Sequence, residues 1–75
     1  MADKVLDLTG LLCPMPIVKM AKAIKEVQVG QVIEATASDP GVMADIPAWC
    51  KSTGNELISM ERVEKIIRFQ VRRKV

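Results

Sequence analysis

The sequence predicts an α+β two-layer sandwich of order β-α-β-α-β-β, with a four-stranded mixed sheet carrying two helices on one face. Three observations predict it. Two stretches repeat apolar residues at helical spacing, four read as strands, and Gly, Pro and Asp residues punctuate the joins. The chain's 75 residues suit one domain, residues 1–75, and not two.

Residues 5–9 alternate Leu6 and Leu8 against Val5, Asp7 and Thr9, the pattern of a strand, and Gly10 ends it. Residues 14–27 place Ile17, Met20, Ala21, Ile24 and Val27 along one helical stripe, with Lys19, Lys22, Lys25 and Glu26 mostly off it. Gly30 marks a turn, and residues 31–37, with Val32, Ile33 and Thr36, read as a second strand. The strand-helix-strand unit should be right-handed.

Ser38-Asp39-Pro40-Gly41 is a turn and helix-start signal. A second helix is expected over residues 42–53, with Val42, Met43, Ile46, Trp49 and Cys50 on its apolar side. Pro47 complicates it, because proline in a helix interior costs about 3 kcal/mol. The regular helix is therefore expected to start near Asp45 or to bend at Pro47. Gly54 is a stop signal. Residues 56–62 and 66–73 read as two strands joined by a short link near Val63-Glu64, the second alternating Ile67, Phe69 and Val71 against Arg68, Gln70 and Arg72.

Composition narrows the function. A domain this small buries only about 60% of its unfolded surface, so chemistry is expected at the surface, within reach of a second protein. One Trp, one Phe and no Tyr leave few rings for base stacking, and a net charge of +2 gives little pull toward nucleic acid or membranes. Direct nucleic-acid binding is not expected. The absence of His removes the commonest general base and metal ligand, so no metal or cofactor is expected. Two cysteines without C-x-x-C spacing fit the reduced cytoplasm better than a disulfide scaffold. Met1-Ala2-Asp3-Lys4 does not have the pattern of a signal peptide, so none is expected, and no apolar stretch of about 18 residues would span a membrane.

Cys13 follows a strand and precedes a helix with Pro14 and Pro16 at its first and third positions. Proline is favoured at the first helical position, which points to Cys13 as the N-cap. A helix N-terminus carries about half a positive charge, which would stabilise a thiolate and lower its pKa. Pro16 has no N–H, so Met15 N–H is the one normal capping donor left for the sulfur. The sulfur should then be less tied down than a Ser or Asp cap. Nothing nearby offers a general base, which suits a nucleophile working as a thiolate. The bland alternative is a small buried Cys whose Pro-x-Pro only starts a helix.

Leu6-Asp7-Leu8-Thr9-Gly10-Leu11-Leu12-Cys13-Pro14-Met15-Pro16 resembles the start of the TusA, or SirA-like, family of small sulfur-carrier proteins, whose hallmark is Cys-Pro-x-Pro at the start of the first helix. The resemblance runs on through Gly30, Ala37-Ser38-Asp39-Pro40, Asp45-Ile46-Pro47, Trp49-Cys50, Gly54-Asn55-Glu56-Leu57 and the basic last strand. It implies that Cys13 accepts sulfane sulfur, as a persulfide or thiosulfonate, and passes it to another protein. It also implies a cysteine desulfurase or rhodanese as donor. The implied acceptors are DsrE-type or TusD-type proteins in tRNA thiolation, the molybdenum-cofactor machinery, or sulfur-oxidation pathways. A monomeric cytoplasmic protein is expected.

Other residues have two readings. Cys50 is core filler or a thiol that resolves onto Cys13, which would need Cα atoms within about 7 Å. Asp39-Pro40 reads as a helix cap, with a binding role as the alternative, and Asp45 as a candidate second cap given Pro47. Leu11, Leu12 and Met15 either pack under the strand ends or form an apolar rim for a partner. Arg62, Arg68, Arg72, Arg73 and Lys74 make the last hairpin basic. That is a solvated face, a docking surface for an acidic partner using Arg68, Arg72 and Arg73, or the contact of a regulatory or RNA-binding module.

Overall fold

The computed structural model describes residues 2–75. Its elements are β1 (Lys4–Leu8), α1 (Met15–Ile24), β2 (Val32–Ala37), α2 (Val42–Thr53), β3 (Glu56–Val63) and β4 (Ile66–Arg72), in the expected order. The sheet order is β1-β2-β4-β3. β1 and β2 are parallel, and the two other pairings are antiparallel, so the sheet is mixed.

Alternation along the central strands builds the core. Ile33, Ala35 and Ala37 of β2 face Val71, Phe69 and Ile67 of β4 across the ladder, and all six are buried. Small Ala35 sits opposite Phe69, which leaves room for the ring, and pairings of large with small residues fill a thin core without strain. The other face of β2 and β4 carries Glu34 and Gln70, joined by a side-chain hydrogen bond, and stays partly open.

β3 needs a correction of parity. Leu57 pairs with Val71 and Met60 with Phe69, so both lie on the core side although they are three positions apart, an offset that strict alternation would put on opposite faces. A register shift between Leu57 and Ser59 leaves Ile58 as the extra residue and restores the face.

Both helices lay buried side chains on that core. α1 contributes Pro16, Met20, Ala23 and Ile24, and α2 contributes Val42, Ile46 and Cys50 at i, i+4, i+8. The stripe expected of α1 is shifted: Ile17 and Ala21 are half-buried and Ala23 takes a core place. α1 also stops at Ile24, where the chain tightens to i−3 bonds, Lys25 N–H to Lys22 and Glu26 N–H to Ala23. α2 runs unbroken from Val42 with Pro47 inside it, rather than starting near Asp45. Its exit matches expectation: Gly54 adopts φ 83°, a left-handed conformation, and the Gly54 and Asn55 N–H groups both donate to the Cys50 carbonyl.

Topology now fixes where the loops meet. β1 and β2 are parallel neighbours with Leu8 opposite Ala37, so the loop into α1 and the loop into α2 leave the sheet side by side. In open sheets, sites form outside the carboxyl ends of such strands.

Candidate functional site

Two side chains from the loop entering α2 hold the loop carrying Cys13. Ser38 Oγ accepts the Gly10 N–H at 2.8 Å, and Asp39 Oδ2 accepts the Cys13 N–H at 2.8 Å. Asp39 Oδ1 also accepts the Gly41 N–H at 3.0 Å, and its carbonyl accepts the Val42 N–H. Asp39 therefore shapes the entry to α2, as its sequence suggested, and fixes the backbone of Cys13 as well. Gly10, at φ 82°, makes the turn that lets this loop fold back on Ser38.

Cys13 is exposed, and its thiol donates to Asp45 Oδ2 at 3.4 Å. This corrects the expected cap. α1 begins at Met15, with Pro14 before it and Pro16 inside its first turn, so Cys13 stands one residue too early to cap. The Met15 N–H, expected to serve the sulfur, donates instead to the Leu12 carbonyl at 2.8 Å, closing a turn over Cys13 and Pro14. The Cys13–Pro14 peptide is cis. Pro16 is fully buried, so its place is in the packing beneath the site and not beside the sulfur.

The electrostatics reverse with the geometry. The hydrogen bond to Asp45 is the largest influence on Cys13 and raises its thiol pKa; desolvation and the negative charges of Asp45 and Asp39 push the same way. A carboxylate that accepts from the neutral thiol favours the thiol over the thiolate. The expected lowering by a helix end is therefore not what this structure does, and a carboxylate stands where no neighbouring base was expected.

The apolar residues divide. Leu11 packs against the core, whereas Leu12 is 73% exposed and Met15 40% exposed, with Val18 a turn further along α1 at 51%. Leu12 and Met15 are thus exposed apolar neighbours of Cys13 in sequence, and Leu11 is turned to the core. The arginines do not gather at the site. Arg68 lies toward the Ala37 end of β4, but Arg72 pairs with Val32 and Arg73 bonds Gln31, at the far end of the sheet. They are also engaged within the chain: Arg68 pairs with Glu61, Arg72 and Lys74 share Glu56, and Arg73 donates to the Val27 carbonyl. A cavity of about 340 Å³ lies between β1 and α1, lined by Lys4, Lys19, Lys22 and Glu26 among others, and Cys13 is not part of it. Cys50 is buried, unbonded, and raised to about 11 by its burial. Among the described residues, no cluster of His, Cys, Asp and Glu could hold a metal ion, and no helix is long and apolar enough to cross a membrane.

Comparison with known proteins shows the family and the fold. The family model described as "Sulfurtransferase TusA" matches residues 4–73. The chain belongs to the TusA family. It is 43% identical to "Putative sulfur carrier protein YrkI" of Bacillus subtilis (strain 168) over 72 residues, which is 96% of each chain. It is 48% identical to "Putative sulfur carrier protein YrkF" of the same strain, where it spans 39% of the relative's length. It is 45% identical over 56 residues to "Sulfur carrier protein TusA" of Allochromatium vinosum, covering 75% of this chain and 74% of that one. A SirA-like protein of Desulfitobacterium hafniense, 18% identical, shares the fold, with a TM-score of 0.81 over 96% of this chain and 99% of that one.

Asp39 and Asp45 escaped the sequence reading as neighbours of the thiol. A signal was present. A strand-helix-strand unit puts the loop after the first strand beside the loop after the second, which holds Asp39 and leads into the first turn of α2, which holds Asp45.

Proposed function

We propose that this TusA-family chain is a sulfur carrier in which Cys13 takes up a sulfane sulfur as a persulfide and hands it to a partner protein. The observation that carries the reading is an exposed thiol with its backbone clamped by Asp39 and its side chain reachable from solvent. An enclosed site would suit a small substrate; an open thiol on a rigid loop suits exchange between two proteins.

The chemistry is thiol–persulfide exchange. The Cys13 thiolate attacks the outer sulfur of a donor persulfide; a new S–S bond forms on Cys13, the donor's S–S bond breaks, and the donor leaves as a thiolate. Delivery repeats the step with an acceptor thiolate attacking the outer sulfur on Cys13. No external oxidant or reductant is needed. A cysteine desulfurase or rhodanese would serve as donor, and a DsrE-type or TusD-type protein or the molybdenum-cofactor machinery as acceptor. Arg68 lies apart from Arg72 and Arg73, and all three are ion-paired or bonded within the chain, which supports docking through Leu12 and Met15 instead.

Intact mass after incubation with polysulfide, or with thiosulfate and rhodanese, tests the reading. A gain of one sulfur mass that disappears in Cys13→Ser supports it. No adduct on Cys13 with either donor sinks it.

A further inference from the structure

Cys13 is held from two sides by one segment of chain, through its N–H to Asp39 and its thiol to Asp45. The two carboxylates are occupied differently. Asp39 accepts backbone N–H groups at both oxygens, from Cys13 and from Gly41. Asp45 accepts the thiol, and among the described residues it joins no ion pair. Gly41 lies under both: a Cβ there would stand 3.4–3.6 Å from carboxylate oxygens of Asp39 and Asp45. Two negative groups therefore stand by an exposed sulfur close in sequence to the apolar Leu12 and Met15, and among the described residues neither carboxylate joins an ion pair.

We propose that Asp45 is a positioning residue for sulfur transfer: it holds the Cys13 thiol protonated and turned toward α2 in the free carrier, and yields it when a docking protein brings a cationic side chain against its carboxylate. This rests on the carrier reading above. The nucleophile in exchange is the thiolate, and a thiolate this close to Asp45 would face like charge. The proton between sulfur and oxygen removes that conflict while the carrier is free. Carboxylates are far weaker bases than thiolates, so Asp45 does not keep the proton; it leaves for solvent when the thiol ionises. An arginine or lysine at Asp45 occupies the oxygen that the thiol used and adds positive charge beside the sulfur, and both changes favour the thiolate. The partner this describes has an apolar contact surface bearing a cation, complementary to Leu12 and Met15 beside Asp39 and Asp45.

The test reads Cys13 without sulfur. Alkylation by iodoacetamide is followed by intact mass against pH in the wild type, Asp45→Asn and Asp45→Glu. The charged groups acting on the thiol are Asp45 and Asp39, so Asp39→Asn is carried alongside. Asp45→Asn is expected to speed alkylation at neutral pH by about threefold or more, with its profile moved to lower pH, and Asp45→Glu to restore the wild-type profile. A penta-arginine peptide at low ionic strength should speed the wild type and leave Asp45→Asn unchanged. Superposing wild-type and Asp45→Asn profiles overturn the hold; a wild-type rate indifferent to the peptide overturns the release. If Asp45→Asn does not fold at the assay temperature, Asp45→Ser carries the same comparison. Failure of the carrier reading looks different: polysulfide then adds no sulfur to Cys13 while the alkylation shifts stand.

Discussion

The Cys13 thiol donates to the Asp45 carboxylate across 3.4 Å and 32 positions of sequence, tying the loop after β1 to the first turns of α2. The sulfur is fixed by hydrogen bonds and not by packing, since Cys13 is exposed. A serine hydroxyl keeps the donor and lacks the sulfur nucleophile. Cys13→Ser should therefore melt like the wild type, within about 0.5 kcal/mol, because exposed substitutions rarely exceed that. It should take up no sulfur from polysulfide by intact mass. Sulfur on the serine variant would move the chemistry to Cys50.

Asp39 serves three groups at once: the Cys13 N–H, the Gly41 N–H and, through its carbonyl, the Val42 N–H. Truncation to alanine removes the side-chain acceptor and strands two donors. Asp39→Ala should lower stability by about 1–2 kcal/mol, the loss usual for a capping side chain, seen as a lower urea midpoint at unchanged m. An unchanged midpoint would mean that the clamp contributes nothing.

Leu12 is more exposed than Met15 or Val18, the other large apolar residues exposed near Cys13 in sequence. Its side chain supports no core contact, so Leu12→Glu should leave folding intact. Direct loading of Cys13 by polysulfide should change little, while transfer from a persulfidated protein donor should slow by about tenfold, as expected for a lost interface anchor of 1–2 kcal/mol. Equal slowing of both reactions would show that Leu12 shapes the sulfur site itself.

The element order and the core of β2 and β4 were legible because alternation and helical spacing are local. Ile67, Phe69 and Val71 announce their face within one strand, and Cys50 falls on the buried stripe of α2 with Val42 and Ile46. Cys13 was legible too, from Cys-Pro-x-Pro. Its surroundings were not. The Pro14 and Pro16 pattern predicts where a helix starts to within a residue, and one residue decides whether Cys13 caps α1 or precedes it. The Asp45 contact joins the loop after β1 to the first turn of α2, 32 positions away, so no local pattern encodes it. The bulge at Ile58 is equally hidden, because an extra residue in β3 shows only against its partner β4.

Cys50 offers a test of the core through pH. Its thiol is 3% exposed and raised by burial from 9.0 to about 11. Below pH 9 the proton is bound in both the folded and unfolded chain, and this group's contribution is complete. As pH rises past 9, the unfolded chain releases the proton first, so it binds fewer protons than the folded one and stability falls. The loss continues until the folded thiol itself ionises near 11. A raised pKa over that window corresponds to roughly 2–3 kcal/mol. Urea midpoints between pH 8 and 11 should show this decline in Cys13→Ser, where Cys50 is the remaining thiol. The decline should flatten when Cys50→Ala is added, although that variant starts from a lower stability because it leaves a small cavity. Parallel pH curves with and without the Cys50 thiol would show that this buried group does not govern alkaline unfolding.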